Sequence, residues 1–100
     1  MLHIGNKYHP RPPGIVIYAG RPSPLGNPFV INKDGTRDEV CDKYEAYFKE
    51  AINNVPQLKV EVDRIIELIR NGNDVTLTCF CVPARCHLLT VQAYINSQLQ

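Results

Sequence analysis

The sequence predicts a small α/β domain with a short, mostly parallel sheet and about three helices packed on it. Three observations support this prediction: short β-rich segments, three amphipathic helical segments, and the mixing of the two kinds along the chain. Such mixing is typical of α/β proteins, in which helices cover a parallel sheet. The 100 residues, of which 44% are hydrophobic, suit one domain over residues 1–100.

The first part of the chain contains a Pro-rich segment and a predicted strand. Residues 1–13 are expected to form an extended lead-in, because the prolines in "HPRPPG" fix φ and lack an N–H donor. Residues 15–19 are apolar and lie between Gly14 and Gly20, which predicts a short buried strand. After the loop "RPSPLGNP", the run "FVI" at residues 29–31 is a candidate edge strand before the turn "NKDG".

Two helices follow, and both have boundary signals. The first begins at Thr36, because "TRDE" forms a capping box with Glu39 at the third helical position. The second begins after the interruption at Pro56 and ends at Gly72, which suits a left-handed backbone. Apolar residues recur at helical spacing on one face of each helix. The inner-face residues are Val40, Tyr44, Tyr47, Phe48 and Ala51, then Leu58, Val62, Ile65, Ile66 and Ile69.

The last part of the chain contains the clearest strand and a final helix. The segment "DVTLTCF" is rich in β-branched residues and predicts a strand over residues 75–81. If this strand runs parallel to the strand at 15–19, the loops after both strands leave from the same edge of the sheet. Open α/β sheets bind ligands at that edge. The final amphipathic helix is marked by Leu88, Val91, Ile95 and Leu99.

Charge is unevenly distributed, although the formal net charge is only +1. Residues 1–33 contain four Lys or Arg residues and no acid, and Arg85 is the only formal charge from residue 75 onward. The ten acids all lie between Asp34 and Asp74. This asymmetry favours an anionic ligand near the two ends of the sequence, and it equally fits solvated helices in the middle.

Composition also bears on location and partners. No apolar run approaches the roughly 18 residues of a membrane helix, and the N-terminus lacks the apolar stretch of a signal peptide. We therefore expect a cytoplasmic protein without a membrane partner. Nucleic acid is an unfavourable partner, because Trp is absent, the net charge is near zero and no dense basic stripe occurs.

The segment "CFCVPARCH" at residues 79–87 holds three of the four cysteines. Cys79 and Cys81 lie two apart at a strand end, whereas Cys86 and His87 lie at the start of the last helix. Helix N-termini carry free N–H groups that favour a thiolate. Cys86, His87 and Cys81 are therefore candidate catalytic residues, with Cys86 as the better thiolate and the imidazole as a base.

Other interpretations of this cluster stay open. Cys79, Cys81, Cys86 and His87 are ligand types that zinc accepts, so the cluster is alternatively a structural zinc site in a binding module. No cofactor is favoured over this alternative. Buried thiols are also ordinary core residues, which is our expectation for Cys79 and Cys41. A disulfide between Cys81 and Cys86 is geometrically feasible but the least favoured reading in a reducing cytosol.

The loop "GRPSPLGNPF" directly follows the first predicted strand. Arg21 suits a bidentate contact with a phosphate or carboxylate. Ser23 and Asn27 offer hydrogen bonds, and Gly26 permits a tight backbone path. Together with Arg85 of the second loop, these are the candidate ligand-binding residues. In the alternative interpretation Arg21 and Asn27 brace a rigid loop, and the pattern is neither a G-x-G-x-x-G nor a Walker loop.

Three segments in order resemble the signatures of the bacterial and bacteriophage domain-of-unknown-function family 4326: "GRPSPLGNPF", "TRDEVCDKYEAYF" and "CFCVPARCH". The resemblance spans about residues 15–95 and implies no established activity. In many relatives an acid is expected soon after the Cys-His pair, whereas Leu88 and Leu89 follow it here. The signature positions it implies are Arg21, Ser23, Gly26, Asn27, Pro28, Cys79, Cys81, Pro83, Cys86 and His87.

These observations predict a cationic Arg/Cys/His pocket that binds a small anionic, nucleotide-like ligand, with thiol chemistry as a further role. The alternatives are the zinc-binding module and, if the protein is of phage origin, an interaction domain acting on a host protein. Neither terminal segment supplies an Asp or Glu for a carboxylate-oriented triad or a magnesium site. Whether the protein is an enzyme is therefore not decided by the sequence.

Overall fold

The computed structural model describes residues 2–6, 14–21, 23–79 and 86–99. Within these residues the chain forms three strands and three helices. The elements in chain order are β1 (Leu2–Asn6), β2 (Ile15–Tyr18), α1 (Arg37–Asn54), α2 (Pro56–Arg70), β3 (Val75–Cys79) and α3 (Leu88–Leu99). The predicted α/β class with a parallel sheet and three helices is confirmed.

The central strand of the sheet is β3, and the order is β1-β3-β2. Both neighbours run parallel to it, and β2 pairs from Ile15 opposite Val75 to Tyr18 opposite Thr78. All five residues of β3 are buried, as expected for a central parallel strand. Because β2 and β3 are parallel, the chain leaves both strands at the same edge of the sheet, which is the condition for the two loops to meet there. Residues 80 and 81 of the predicted strand lie outside the described residues.

Both outer strands differ in detail from the expectation. Strand β1 occupies Leu2–Asn6 within the segment expected to be an extended lead-in, and residues 7–13 lie outside the described residues. Its five residues give a weak signal because they include only two large apolar side chains. The expected burial of residues 15–19 holds for Ala19 but not for Ile15 and Val16, which are 37% and 51% exposed on the edge strand β2.

The expected edge strand at residues 29–31 is wrong. Ile31 forms only an isolated bridge with Gly35. The carbonyl of Val30 accepts the N–H of Asp34, and the carboxylate of Asp34 accepts the N–H of Val30 at 2.8 Å. In this tight turn the N–H and carbonyl of Val30 are both bonded to Asp34, so they are not available for pairing with a neighbouring strand.

The helix boundaries agree with their sequence signals. The hydroxyl of Thr36 accepts the N–H of Glu39, and the carboxylate of Glu39 accepts the N–H of Thr36 at 3.0 Å. The Thr36 backbone N–H and, as a smaller effect, the Thr36 hydroxyl stabilise the Glu39 carboxylate and lower the pKa of this carboxyl. Pro56 is the first residue of α2, and Gly72 has the left-handed φ of 93° after its end.

A shared core joins the three helices, the sheet and the loop after β2. Tyr44 and Phe48 of α1 are buried against residues of the other helices and of β3, and Leu25 of the loop is fully buried with them. The hydroxyl of Tyr44 donates to the carbonyl of Leu25 at 2.9 Å, so the loop is attached to α1 from inside the core. Among the described helices, none has the length and hydropathy to cross a bilayer.

Candidate functional site

A cavity of about 350 Å³ lies at the edge of the sheet where β2 and β3 end; we call it the strand-edge cavity. Its wall combines the two strand ends, the loop after β2, the first turns of α1 and the residues before α3. Five candidate site residues from the sequence analysis line this cavity, and a further guanidinium, that of Arg37, lies there as well; the five are Arg21, Asn27, Cys79, Cys86 and His87.

The other candidate residues lie elsewhere. The Oγ atom of Ser23 is buried outside the lining of this cavity and has no hydrogen-bond partner among the described residues. Gly26 packs closely against the Arg21 backbone, because a Cβ at Gly26 would lie 2.9 Å from the Arg21 backbone nitrogen. Cys81 and Arg85 are outside the described residues.

Cys86 and His87 form a thiol–imidazole pair. They are 4% and 6% exposed, and the Sγ of Cys86 lies 3.4 Å from the Nδ1 of His87. On the other side of the ring, Nε2 lies 3.0 Å from the carbonyl oxygen of Ala19. Because a carbonyl only accepts, Nε2 carries the proton, and in the neutral ring Nδ1 is an acceptor for the thiol proton. The pair is therefore arranged for transfer of a proton from Cys86 to His87.

The surroundings of His87 keep the ring neutral. Burial lowers the pKa of His87, and the nearby Arg21 guanidinium lowers it further, against the opposing effects of the Ala19 and Leu25 carbonyls. The ring of Tyr44 packs edge-on against the imidazole, with centroids 4.9 Å apart. Burial also raises the pKa of Tyr44 far above its usual value, so its hydroxyl stays a donor. A neutral imidazole whose Nδ1 carries no proton is a base rather than a cation.

A main-chain carbonyl takes the place of an orienting acid. Ala19 is fully buried, and its N–H donates to the carbonyl of Thr78 at 2.8 Å, so the pairing of β2 with β3 holds the oxygen that orients His87. The His87 ring is therefore oriented by this carbonyl, although Leu88 and Leu89 stand where an acid was expected. Such a contact cannot be predicted from residue types, because every residue has a main-chain carbonyl.

Two guanidinium groups lie at the cavity. Arg21 is exposed, its carbonyl accepts the hydroxyl of Tyr18 at 3.0 Å, and no carboxylate among the described residues forms an ion pair with it. Arg37 is the first residue of α1. The sequence analysis did not identify Arg37 as a site residue. A cation in the first helical turn is unfavourable for helix stability, and this could have indicated a functional role.

Asn27 joins the loop to α1. Its Nδ2 donates to the carbonyl of Val40 at 3.2 Å, and its Oδ1 accepts the N–H of Phe29 at 2.9 Å. Both ends of the side-chain amide are therefore engaged with the main chain, which agrees with the bracing interpretation of this residue. The loop is fixed at Leu25 and Asn27, on both sides of Gly26.

A model of domain of unknown function 4326 matches residues 3–97. The chain belongs to this family. The match confirms the expected resemblance to this family, whose description states no activity. Searches of curated proteins and of solved structures found no match to this chain.

The zinc alternative stays a prediction for this family member. In the described part of the chain, no group of three or more His, Cys, Asp or Glu residues is arranged to hold a metal ion. Cys81, one of the four residues considered as ligands, is not described. Cys79 and Cys41 are buried, as expected for core thiols.

A second concavity of about 610 Å³ lies between α1 and α3; we call it the helix groove. Phe48, Lys49, Leu89 and Tyr94 line it. Cys86 lines both the helix groove and the strand-edge cavity, and so does Cys41. The two concavities are therefore neighbours that share two cysteine residues but differ in the rest of their walls.

Proposed function

We propose that this protein binds a small anionic, nucleotide-like ligand in the strand-edge cavity, with Cys86 as the reactive thiol beside it. The observation that carries the proposal is the presence of Arg21, Arg37, Cys86 and His87 around one cavity of about 350 Å³. Small-molecule sites are clefts of roughly 300–1,000 Å³ with a few polar groups in a mainly apolar wall. Two guanidinium groups suit a phosphate, because each presents parallel N–H donors to its oxygens.

The rest of the wall supports a ligand with a flat, apolar part. Tyr18 and Phe29 are aromatic, and Val30, Ile31 and Val40 add aliphatic surface. Nucleobases stack on aromatic side chains, whereas their phosphates bind to Arg. A nucleoside monophosphate has both parts and therefore fits the chemistry of this wall better than inorganic phosphate does.

The thiol chemistry follows from the Cys86–His87 pair. His87 is a neutral base whose Nδ1 lies 3.4 Å from the Sγ of Cys86. Cys86 lies two residues before the first residue of α3, where the positive end of the helix dipole favours a thiolate. Removal of the thiol proton by Nδ1 leaves a nucleophile that faces the cavity.

The test is equilibrium binding of AMP to the reduced protein, with adenosine and inorganic phosphate as comparison ligands. We expect AMP to bind more tightly than either, and Arg21→Gln to weaken AMP binding about tenfold, which is about 1.4 kcal/mol. Lys49→Gln removes the same charge from the helix groove and is the matched control, with unchanged AMP affinity.

Two results would contradict the proposal. One is the absence of any AMP binding or thermal stabilisation at millimolar AMP, because a specific site stabilises the folded state by mass action. The other is an equal loss of AMP affinity in Arg21→Gln and Lys49→Gln, which would indicate attraction to the net charge rather than to the cavity.

A further inference from the structure

Cys79 and Cys86 are close enough to react with each other. Their Sγ atoms lie 2.8 Å apart, a contact across seven residues of sequence, and the side chains are 2% and 4% exposed. A disulfide bond has an S–S length of about 2.05 Å, so less than 1 Å of movement separates the thiols from bonding distance. The expectation that Cys81 lies beside Cys86 stays a prediction, because Cys81 is outside the described residues; among the described residues, the contact is with Cys79.

We propose that Cys79 and Cys86 are a redox-active dithiol that hydrogen peroxide oxidises to a disulfide. His87 accepts the Cys86 proton at Nδ1, and the sulfur attacks one peroxide oxygen. The O–O bond breaks, and Cys86 becomes a sulfenic acid with release of one water. The Cys79 sulfur then attacks the sulfur of the sulfenic acid, the S–S bond forms and a second water leaves. Two thiols lose two electrons in total, and one peroxide is reduced to two waters.

The position of the pair gives peroxide a route to it. Both cysteines line the strand-edge cavity, so peroxide that enters this cavity lies next to them. His87 contacts Cys86, which makes Cys86 the attacking sulfur and Cys79 the resolving one. This redox step needs no other ligand in the cavity, so it stands apart from the proposed AMP binding and is tested without AMP.

The test treats reduced full-length protein with one equivalent of hydrogen peroxide and maps the cysteines by non-reducing tryptic digestion. Cleavage after Arg70 and Arg85 places Cys79 on the peptide 71–85 and Cys86 on the peptide 86–100. We expect two of the four thiols to disappear and these two peptides to become linked, and we expect the same link, with the loss of two of three thiols, in Cys41→Ser and Cys81→Ser. In Cys79→Ala the link is lost, and dimedone captures a sulfenic acid on Cys86.

Several outcomes would overturn the inference. Linked peptides in Cys79→Ala but not in Cys81→Ser would assign the resolving role to Cys81. Four thiols that survive excess peroxide, or stoichiometric zinc that protects them, would make the pair structural. Circular dichroism of each variant verifies the fold, and Cys79→Ser serves as the second substitution if Cys79→Ala does not fold.

Discussion

The strand-edge cavity and the helix groove differ in what the main chain contributes to them. The helix groove is the larger, about 610 Å³ against about 350 Å³, but its walls are the sides of α1 and α3. Within helices the main-chain polar groups bond to each other, so such a wall presents only side chains. At the ends of β2 and β3 the main chain is still available, and the carbonyl of Ala19 orients His87 there. Size alone therefore does not identify the reactive site.

The two shared cysteines test this comparison most directly. Cys41 and Cys86 line both concavities, but Cys86 has His87 and Cys79 within contact distance. In the reduced protein we expect iodoacetamide to alkylate Cys86 at least about tenfold faster than Cys41, because a base lies beside its sulfur. The sulfur–carbon bond forms, iodide leaves and the thiol proton passes to Nδ1.

The measurement is the time course of alkylation followed by peptide mass spectrometry. Cys86→Ser is expected to remove the fast phase completely, and Cys41→Ser is expected to retain it. Equal alkylation rates for the two cysteines would mean that the imidazole does not activate the thiol. The distinction between the two concavities would then be one of shape only.

The second prediction concerns Gly26, which packs against Arg21 of the strand-edge cavity. Gly26→Ala would place a Cβ 2.9 Å from the Arg21 backbone nitrogen, so the loop must shift. We expect a loss of about 1–3 kcal/mol in the free energy of unfolding, together with weaker AMP binding. Chemical denaturation and AMP titration measure the two effects.

Gly72→Ala is the matched control. Gly72 has a φ of 93° but open space around its Cβ position, so alanine there causes strain without a clash. We expect a loss of about 1 kcal/mol with unchanged AMP affinity. If both variants bind AMP as the wild type does, the position of Arg21 does not matter for the ligand.

The sequence predicted the elements better than it predicted the contacts of the site. The capping box at Thr36, the apolar spacing of the helices and the β-branched strand β3 are local patterns, and all three are found in the structure. The parallel pairing that brings the two loops to one edge is confirmed as well. The orienting role of Ala19 and the contact of Cys79 with Cys86 could not be predicted, because both depend on the register between segments distant in sequence.

The third prediction concerns the attachment of the loop to the core. Tyr44→Phe keeps the ring but removes the donor that the buried Leu25 carbonyl accepts at 2.9 Å. Among the described residues, the buried Leu25 carbonyl then keeps only the His87 ring as a hydrogen-bonding neighbour, so the free energy of unfolding should fall by about 1–2 kcal/mol. Tyr94→Phe, on the helix-groove side, keeps its ring contact with Phe48 and should change stability by less than about 0.5 kcal/mol. Equal effects in urea titrations would show that the loop is held by other contacts.

The smallest expected effect is the pH dependence that His87 gives to stability. Burial lowers the pKa of His87 in the folded protein, so the unfolded chain binds the proton more readily. The stabilising contribution is therefore complete above the ordinary histidine pKa of about 6.5 and is lost as the pH falls below that value towards the folded pKa. One histidine changes the free energy of unfolding by at most about 1.4 kcal/mol per pH unit.

Urea titrations at pH 7.5 and 5.5 measure this effect, with His87→Gln as the comparison. Arg21, Tyr44 and Cys86 face the imidazole and remain in the variant, so the difference between the two proteins isolates the ring itself. We expect the wild type to lose more stability than His87→Gln between the two pH values. A parallel loss in both would assign the acid sensitivity to other groups, and His87 would then be accessible to protons without cost. In that case the imidazole would not be the buried neutral base that distinguishes the strand-edge cavity from the helix groove.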